Sequence, residues 1–378
     1  MGRKYKRCKK CLMDTTDSNI VFDSRGICDH CNYFENKILP IWNFGLDRGK
    51  DLDALIKKIK KAGEGREFDC LFGMSGGIDS SYLLHLVKKK FKLRPLVFHV
   101  DAGWNSELAV NNIEKLVDSL GVDLFTKVID WEEIKELQLS FFNSGVPHID
   151  TPQDHIFFAS MYQFAVKYNI KYILSGANFS TECIRNPKEW MYFQSDLRQI
   201  KDIHKKYGKR KLKNIPFANI LWYKVWLRYF KNIKIVSPLN YVEYNKNSAR
   251  DFLVKNYGWK PYKQKHFESI FTKFYEGYWL YERFGFDVRK VQLSSLILTN
   301  QMKREEAIEI LESKPYDEKS LERDKEYIAN KLEISLEKLD YFFNLPKRSF
   351  HDFSNQNFIY EIGTIISKKL GINNGIKR

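Results

Sequence analysis

Short apolar runs alternate with longer segments of helical spacing from residue 69 to residue 175. Asp69 to Met74, Pro95 to Val100, Leu124 to Ile129 and Tyr172 to Leu174 are each long enough for a strand, and two are almost wholly apolar. Between them, Glu107 to Leu120, Ile134 to Phe142 and Phe157 to Tyr168 carry apolar residues three and four apart, the spacing of a helix with one buried face. A further helix is expected from Asp79, with Leu83, Leu84 and Val87 on its inner face. Strands alternating with helices predict an α/β fold: a parallel sheet with right-handed crossovers. Ile235 to Leu239 is expected to be the last strand. Residues 34 to 66 read as lysine-rich helix, and the chain from Gln301 onward reads as charged helix, with MKREEAIEILE its clearest segment.

Ligands of such sheets bind beyond the carboxyl ends of the strands. Ser75-Gly76-Gly77 follows the first strand directly, and Asp79-Ser80-Ser81 opens the next helix. Glycines allow a tight turn and close approach of the backbone to a ligand. The amides and positive dipole end of the new helix then face an anion, so the turn suits phosphate. It is not a Walker loop, because no lysine ends it. The plain alternative is a strand-to-helix turn with Asp79 as its cap. Asp101 ends the second strand, as acceptor from a ribose or an adenine amine or as a simple cap. Gly176 and Asn178 follow the fourth, where Gly176 leaves room for a base or ribose and Asn178 can touch it. Glu182 is a candidate Mg²⁺ ligand or a surface carboxylate.

Four of the six cysteines form Cys8-x2-Cys11 and Cys28-x2-Cys31, separated by 16 residues. This is the spacing of a four-thiolate structural zinc site. Three segments follow: a zinc-binding stretch over 1–40, a nucleotide domain over 41–260 and a helical C-terminal region over 261–378. The 378 residues carry a formal charge of +16, which suits nucleic acid, anionic lipid, polyphosphate or merely a solvated surface. A basic, aromatic insertion spans 185–235. Its densest run, Lys205 to Lys213, is a solvated loop or a lid over substrate. The aromatic stretch Phe217 to Phe230 is expected to be a core helix, with a membrane- or partner-facing element as the alternative. No signal peptide and no transmembrane run stand out, so a cytoplasmic protein is expected. Lys260 to Phe274 is expected to form about four helical turns. Its Lys265, His266, Glu268 and Lys273 are candidates for binding a uronate or phosphate, or for ordinary ion pairs on an exposed helix.

The loop FGMSGGIDSSYLL resembles the SGGxDS loop of the ATP pyrophosphatases (the PP-loop superfamily), whose domain is of the adenine-nucleotide α-hydrolase-like type. With CKKCLMDTTD…GICDHC, HVDAGWNS, LSGAN and KHFESIFTKF, nearly the full chain resembles the N-acetyl sugar amidotransferases (the WbpG and PseA type) of bacterial lipopolysaccharide O-antigen and surface-polysaccharide synthesis. The resemblance implies ATP and Mg²⁺ as cofactors beside structural Zn²⁺, and conversion of an acetamido group to an acetamidino group through an adenylated intermediate. It implies ATP contacts from Met74, Ser75, Gly76, Gly77, Asp79, Ser80 and Ser81, with Ser75, Asp79 and Ser80 catalytic. It also implies a nucleotide-sugar substrate, and ammonia from a separate HisH-like glutaminase with a HisF-like barrel. This fits a chain whose Cys70 and Cys183 lack a glutaminase setting. The sugar stays open between UDP-diacetamido-mannuronic acid, which DTTD and the HC pair favour, and pseudaminic or legionaminic types. A competing reading is a PP-loop tRNA-modifying enzyme, against which stands the lack of a second cysteine pair. A third is a nucleotide-binding subunit without turnover.

Overall fold

A computed structural model of the chain describes residues 4–42 and 47–369. Its centre is a sheet of five parallel strands: β1 (Cys70–Gly73), β2 (Pro95–Asp101), β3 (Asp123–Val128), β4 (Tyr172–Leu174) and β5 (Lys234–Val236). Their spatial order is β3-β2-β1-β4-β5. The chain builds outward from β1 to β3, then returns to lay β4 along the other side of β1. The loops leaving β1 and β4 therefore diverge, and a crevice opens between them.

Alternation along the strands divides the core. Phe72, Val97 and Leu174 face one cluster with Leu83, Leu84, Ile113 and Leu116. Leu71, Phe98 and Ile173 face the other, with Ile134, Ile156 and Ala159. The helices begin and end where local chemistry dictates. Ser106 accepts from the Ala109 amide to start Glu107–Leu120, and Gly121 ends it in the left-handed region. Asp130 caps Trp131–Ser144 in the same way.

Several expected elements come out differently. β5 stops at Val236 because Pro238 cannot donate to a ladder, and a short turn over Pro238–Tyr241 follows. The four turns expected over Lys260 to Phe274 shrink to one, Ile270–Phe274, capped by Ser269. The rest is an irregular strap. It is pulled open by strand-like bonds from Ser106 N to Glu268 O (2.9 Å) and from Ile270 N to Trp104 O (2.9 Å). His266 sits in it at φ 66. Of the helical stretch expected over 34–66, residues 43–46 lie outside the described residues, and Asp47–Ala62 is helical.

The basic insertion folds onto the sheet's second face. Its helix Leu197–Tyr207 buries Ile200 and Ile203 against Leu137 and Phe141. The dense lysine run is no lid. Its backbone is pinned to the Trp131–Ser144 helix, where the Glu133 carboxylate accepts from the amides of Lys213, Asn214 and Ile215. The stretch Phe217 to Phe230 is only half core. Ala218, Ile220 and Leu227 are buried, while Leu221, Val225, Tyr229 and Phe230 are exposed.

The C-terminal helices share a core with the sheet domain. Trp104 and Phe142 pack with Phe271, Phe274, Trp279, Ile328 and Phe342. Lys331 lies over the rings of Trp104 and Trp131. The cysteine segment rests on the helix Arg289–Leu298 through Leu12 N to Ser294 Oγ (3.0 Å) and Lys290 to Asp14 (2.7 Å). No described helix is long and apolar enough to cross a membrane.

Candidate active site

β1 delivers Met74 and Ser75 to the crevice. The Met74 carbonyl accepts from His99 Nδ1 (2.9 Å), which leaves His99 Nε2 to accept from Asn105 Nδ2 (2.9 Å). The turn is fixed by its own hydroxyls. Ser75 Oγ accepts from Gly77 N (3.2 Å), and Ser80 Oγ donates to Gly77 O (3.0 Å). Gly76 has φ 82, and a Cβ there would lie 3.2 Å from the Ala109 carbonyl, so a side chain is excluded. Gly77 begins the helix Ile78–His85 without any side-chain cap. The first amides of that helix thus have no intrahelical acceptor and face the crevice end of the sheet. Ser81 is fully buried, and its hydroxyl turns to the Gly76 carbonyl (3.4 Å).

Three separate segments converge on Asp79. Tyr244 donates its hydroxyl to Asp79 Oδ1 (2.5 Å). Lys265 of the strap lies 3.5 Å from Asp79 Oδ2 and 2.7 Å from Glu182 Oε1. Two carboxylates therefore gather around one positive charge. Lys265 already supplies the counter-charge of the pair, so a divalent ion held by Asp79 and Glu182 would have to displace it. Glu268 stands over the turn: a Cβ on Gly77 would come within 2.9 Å of its Oε1. Burial pushes the Glu268 carboxyl above the ordinary range. Burial also lowers the neighbouring Lys246 ammonium, against the opposing charge of Asp79. For His266 burial works downward, but Glu276 at 2.8 Å prevails and raises it. Tyr262 clamps the turn from the strap, its hydroxyl 3.2 Å from the Gly76 carbonyl.

Below the strap the cleft continues into a polar pocket. Asp150 accepts from Thr272 Oγ1 (2.8 Å) and Gln153 Nε2 (3.0 Å), and burial raises its carboxyl well above the usual range. His148 pairs with the Tyr275 hydroxyl (2.9 Å), and burial lowers it to about 3. An unfolded histidine titrates near 6.5. The His148 contribution to stability is therefore present above that pH and is lost as pH falls toward about 3. The stability advantage of the native chain over His148→Gln should shrink by about 1.4 kcal/mol per pH unit across this window. Denaturant unfolding of both proteins at successive pH values checks it; a pH-independent difference would mean His148 titrates normally.

Some sequence-predicted positions are engaged elsewhere. Asp101 closes its own loop by accepting from Gly103 N (2.7 Å) and Asn105 Nδ2 (3.1 Å). Asn178 caps a short helix through Thr181 N (2.9 Å) and donates to the Gly176 carbonyl. Gly176 lies close against the phosphate-turn helix: a Cβ there would lie 3.0 Å from Ser80 N. Gly176→Ala should therefore displace the helix start and raise the KM for ATP roughly tenfold, the effect of about 1.4 kcal/mol of overpacking. Steady-state kinetics at varied ATP decides this. Lys273 leaves the cluster altogether, pairing with Asp324 (2.6 Å) beneath Tyr316, because the single helical turn rotates it away. The strap brings Lys265, His266 and Glu268 into the cleft. Tyr244, Lys246 and Tyr262 had no sequence signal. His99 had one, since it shares a strand face with Asp101 two residues on.

Apart from this cleft, the sulfurs of Cys8, Cys11, Cys28 and Cys31 lie within 4.8 Å of one another. The separations Cys8–Cys31, Cys11–Cys28 and Cys28–Cys31 are 3.8, 3.6 and 3.6 Å. A disulfide needs about 2.05 Å. The edge of a tetrahedron with Zn–S arms of about 2.3 Å is about 3.8 Å. Backbone amides of Lys10, Met13 and Cys28 point at these sulfurs at 3.3–3.4 Å, as suits thiolates.

Residues 69–244 match the phosphoadenosine phosphosulfate reductase domain, a member of the PP-loop superfamily, and residues 268–367 match the C-terminal domain of LPS biosynthesis protein WbpG-like proteins. The sheet domain thus has a PP-loop-like fold, and the segment after it is similar to the WbpG-like C-terminal domain. PP-loop enzymes are ATP-using ligases and transferases. A curated relative, an uncharacterised protein of Methanocaldococcus jannaschii, is 26% identical over 189 residues, covering 48% of this chain and 64% of that protein. The match thus spans less than two thirds of its length. Among solved structures, the NH3-dependent NAD synthetase of Campylobacter jejuni is 17% identical with a TM-score of 0.28, covering 36% of this chain and 59% of that one. The tRNA thiolase NcsA of Methanococcus maripaludis, with its 4Fe–4S cluster, is 13% identical with a TM-score of 0.33, covering 82% and 89%.

Proposed function

We propose that this protein is an ATP-dependent amidotransferase that converts an acetamido group of an N-acetyl sugar to an acetamidino group, in the synthesis of lipopolysaccharide O-antigen or another bacterial surface polysaccharide. One observation carries the reading. The WbpG-like segment begins at residue 268, and its first residue, Glu268, stands directly over Gly77 of the phosphate turn. The part of the chain related to sugar-polysaccharide proteins thus walls the site where a nucleotide loop presents its amides.

An amide carbon is a poor electrophile. The amide oxygen attacks the α-phosphorus of ATP, pyrophosphate leaves, and the oxygen becomes part of an adenylate. Ammonia then adds to the carbon, a proton is lost, and AMP departs to leave the amidine. The turn amides and the hydroxyls of Ser75 and Ser80 bind the leaving pyrophosphate, where charge develops. A magnesium ion that displaced Lys265 from Asp79 and Glu182 would neutralise triphosphate charge. Lys265 supplies positive charge beside that point, and the strap excludes water over the turn. Glu268, raised by burial, is placed to take a proton from the attacking nitrogen. The four-cysteine site suits a structural zinc ion, since protein fills all four positions.

Ammonia is supplied from outside, by a glutaminase subunit. Cys70 is fully buried in β1 and its thiol is pushed up by burial, and Cys183 is buried and pushed up to about 12. Neither suits a nucleophile.

Release of AMP and pyrophosphate from ATP with ammonium chloride tests the reading, using UDP-diacetamido-mannuronic acid, a pseudaminic-type sugar and bulk tRNA as substrates. The expected result is turnover with one sugar and a product lighter by the exchange of oxygen for NH. Turnover with tRNA alone would overturn it in favour of nucleic-acid modification.

A further inference from the structure

The residues from 203 to 242 include ten lysines and arginines and not one aspartate or glutamate. Solvated surfaces of this chain elsewhere mix both signs, as on the helices Arg304–Glu312 and Glu318–Lys331. Within this acid-free stretch, the helix Trp222–Phe230 and the strand β5 that follows it expose an apolar face that borders the cleft. Leu221, Val225, Tyr229, Phe230 and Ile235 are 42–74% exposed. Leu221, Val225 and Tyr229 recur every four residues, so they form a line on one side of the helix. Lys224 and Arg228 form an exposed basic line beside it, and Lys234 is exposed next to Ile235. The opposite side of the helix is anchored: Leu227 is buried, and Trp222, Tyr223 and Trp226 pack against the core beside the sheet. The face is therefore rigidly presented.

Its chemistry selects an occupant. A helix with aliphatic and aromatic residues on one line and cations on the next lies in the plane of a bilayer interface. Juxtamembrane lysines and arginines add attraction to anionic headgroups. Nucleic acid would use the cations and the rings, but offers nothing to exposed leucine, valine and isoleucine. The same face continues along the rim of the cleft, where Ile362 and Ile365 of the helix Asn357–Lys369 are about half exposed. Glu361, an acid on the same helix, is engaged by Asn357 (3.0 Å).

We propose that this face docks the protein on an anionic lipid bilayer, with the mouth of the cleft at the lipid surface. The inference is independent of which sugar is modified, and of whether the cleft modifies a sugar at all.

Co-sedimentation of the full chain with vesicles tests it. One set is phosphatidylcholine alone; the other contains phosphatidylglycerol as well. Binding to the anionic vesicles is expected, weakening with added salt and at least tenfold stronger than to the neutral ones. Leu221→Ser/Tyr229→Ser/Phe230→Ser should weaken it about tenfold or more at unchanged melting temperature, because all three side chains are exposed. Lys57→Glu/Lys61→Glu, on the opposite face of the sheet, should leave it unchanged. Three outcomes overturn the proposal. The first is failure to sediment with anionic vesicles. The second is undiminished binding by the triple variant. The third is a native chain that self-associates in light scattering, and does so only while this face is intact, which would assign the face to a second copy.

Discussion

Asp79→Asn should lower AMP and pyrophosphate release about a hundredfold or more, with little change in melting temperature. The substitution keeps the shape of the side chain and its bond from Tyr244, so the start of the helix Ile78–His85 is preserved. It removes one of the two negative charges gathered around Lys265, leaving Glu182 as the other. If that cluster is where triphosphate charge is managed, the loss falls on kcat. Binding of ATP through the turn amides, measured by calorimetry with a non-cleavable analogue, should change much less. Wild-type turnover in the variant would remove Asp79 from the mechanism. Glu182→Gln gives a second arm: a comparable loss means the two carboxylates act together, and a much smaller one leaves Asp79 to act through Lys265 alone.

The largest effect on stability is expected at the cysteine cluster. Cys11→Ser/Cys28→Ser should abolish metal content, read by elemental analysis, and remove several kcal/mol of stability, since structural zinc sites carry on the order of 10 kcal/mol of binding energy. The damage should spread. Leu12 bonds to Ser294, Asp14 pairs with Lys290, and Arg304 donates to the Cys8 carbonyl (3.0 Å). Protease sensitivity should therefore rise around residues 286–304 as well as in the first 40. A strong chelator should reproduce both results in the native protein. Full stability without metal would show that apolar packing alone holds the segment.

The parallel sheet was readable because its signals are local. Apolar runs of strand length, helix spacing between them and a glycine turn at one strand end are all contained within about 100 residues. The strap was misread for a related reason. KPYKQKHFESIFTKF has helical spacing, but its conformation is decided by Trp104 and Ser106, which lie more than 150 positions earlier and draw Glu268 and Ile270 into strand-like bonds. No pattern inside the segment reports that. The polar partners of the turn were hidden in the same way: Tyr244 and Tyr262 reach it across 165 and 186 positions. Asn178 and Gly176 stand where a nucleotide-binding loop would have them, but capping engages the Asn178 side chain, and close helix approach leaves no room for one at Gly176. The buried half of Phe217 to Phe230 was legible from its aromatic content. Its exposed half was not, because tryptophan and leucine read alike on either side of a helix.

The bond from Arg304 to the Cys8 carbonyl spans 296 positions. On a ribosome adding about 5–20 residues per second, the cysteine segment waits roughly 15 s to a minute before the helices that cover it emerge. During that interval Leu12, buried in the finished protein against Leu293 and Leu296, lacks the residues that cover it. The ion that closes the four thiols would then act as a placeholder for absent neighbours, keeping the cysteine segment folded until its covering helices arrive.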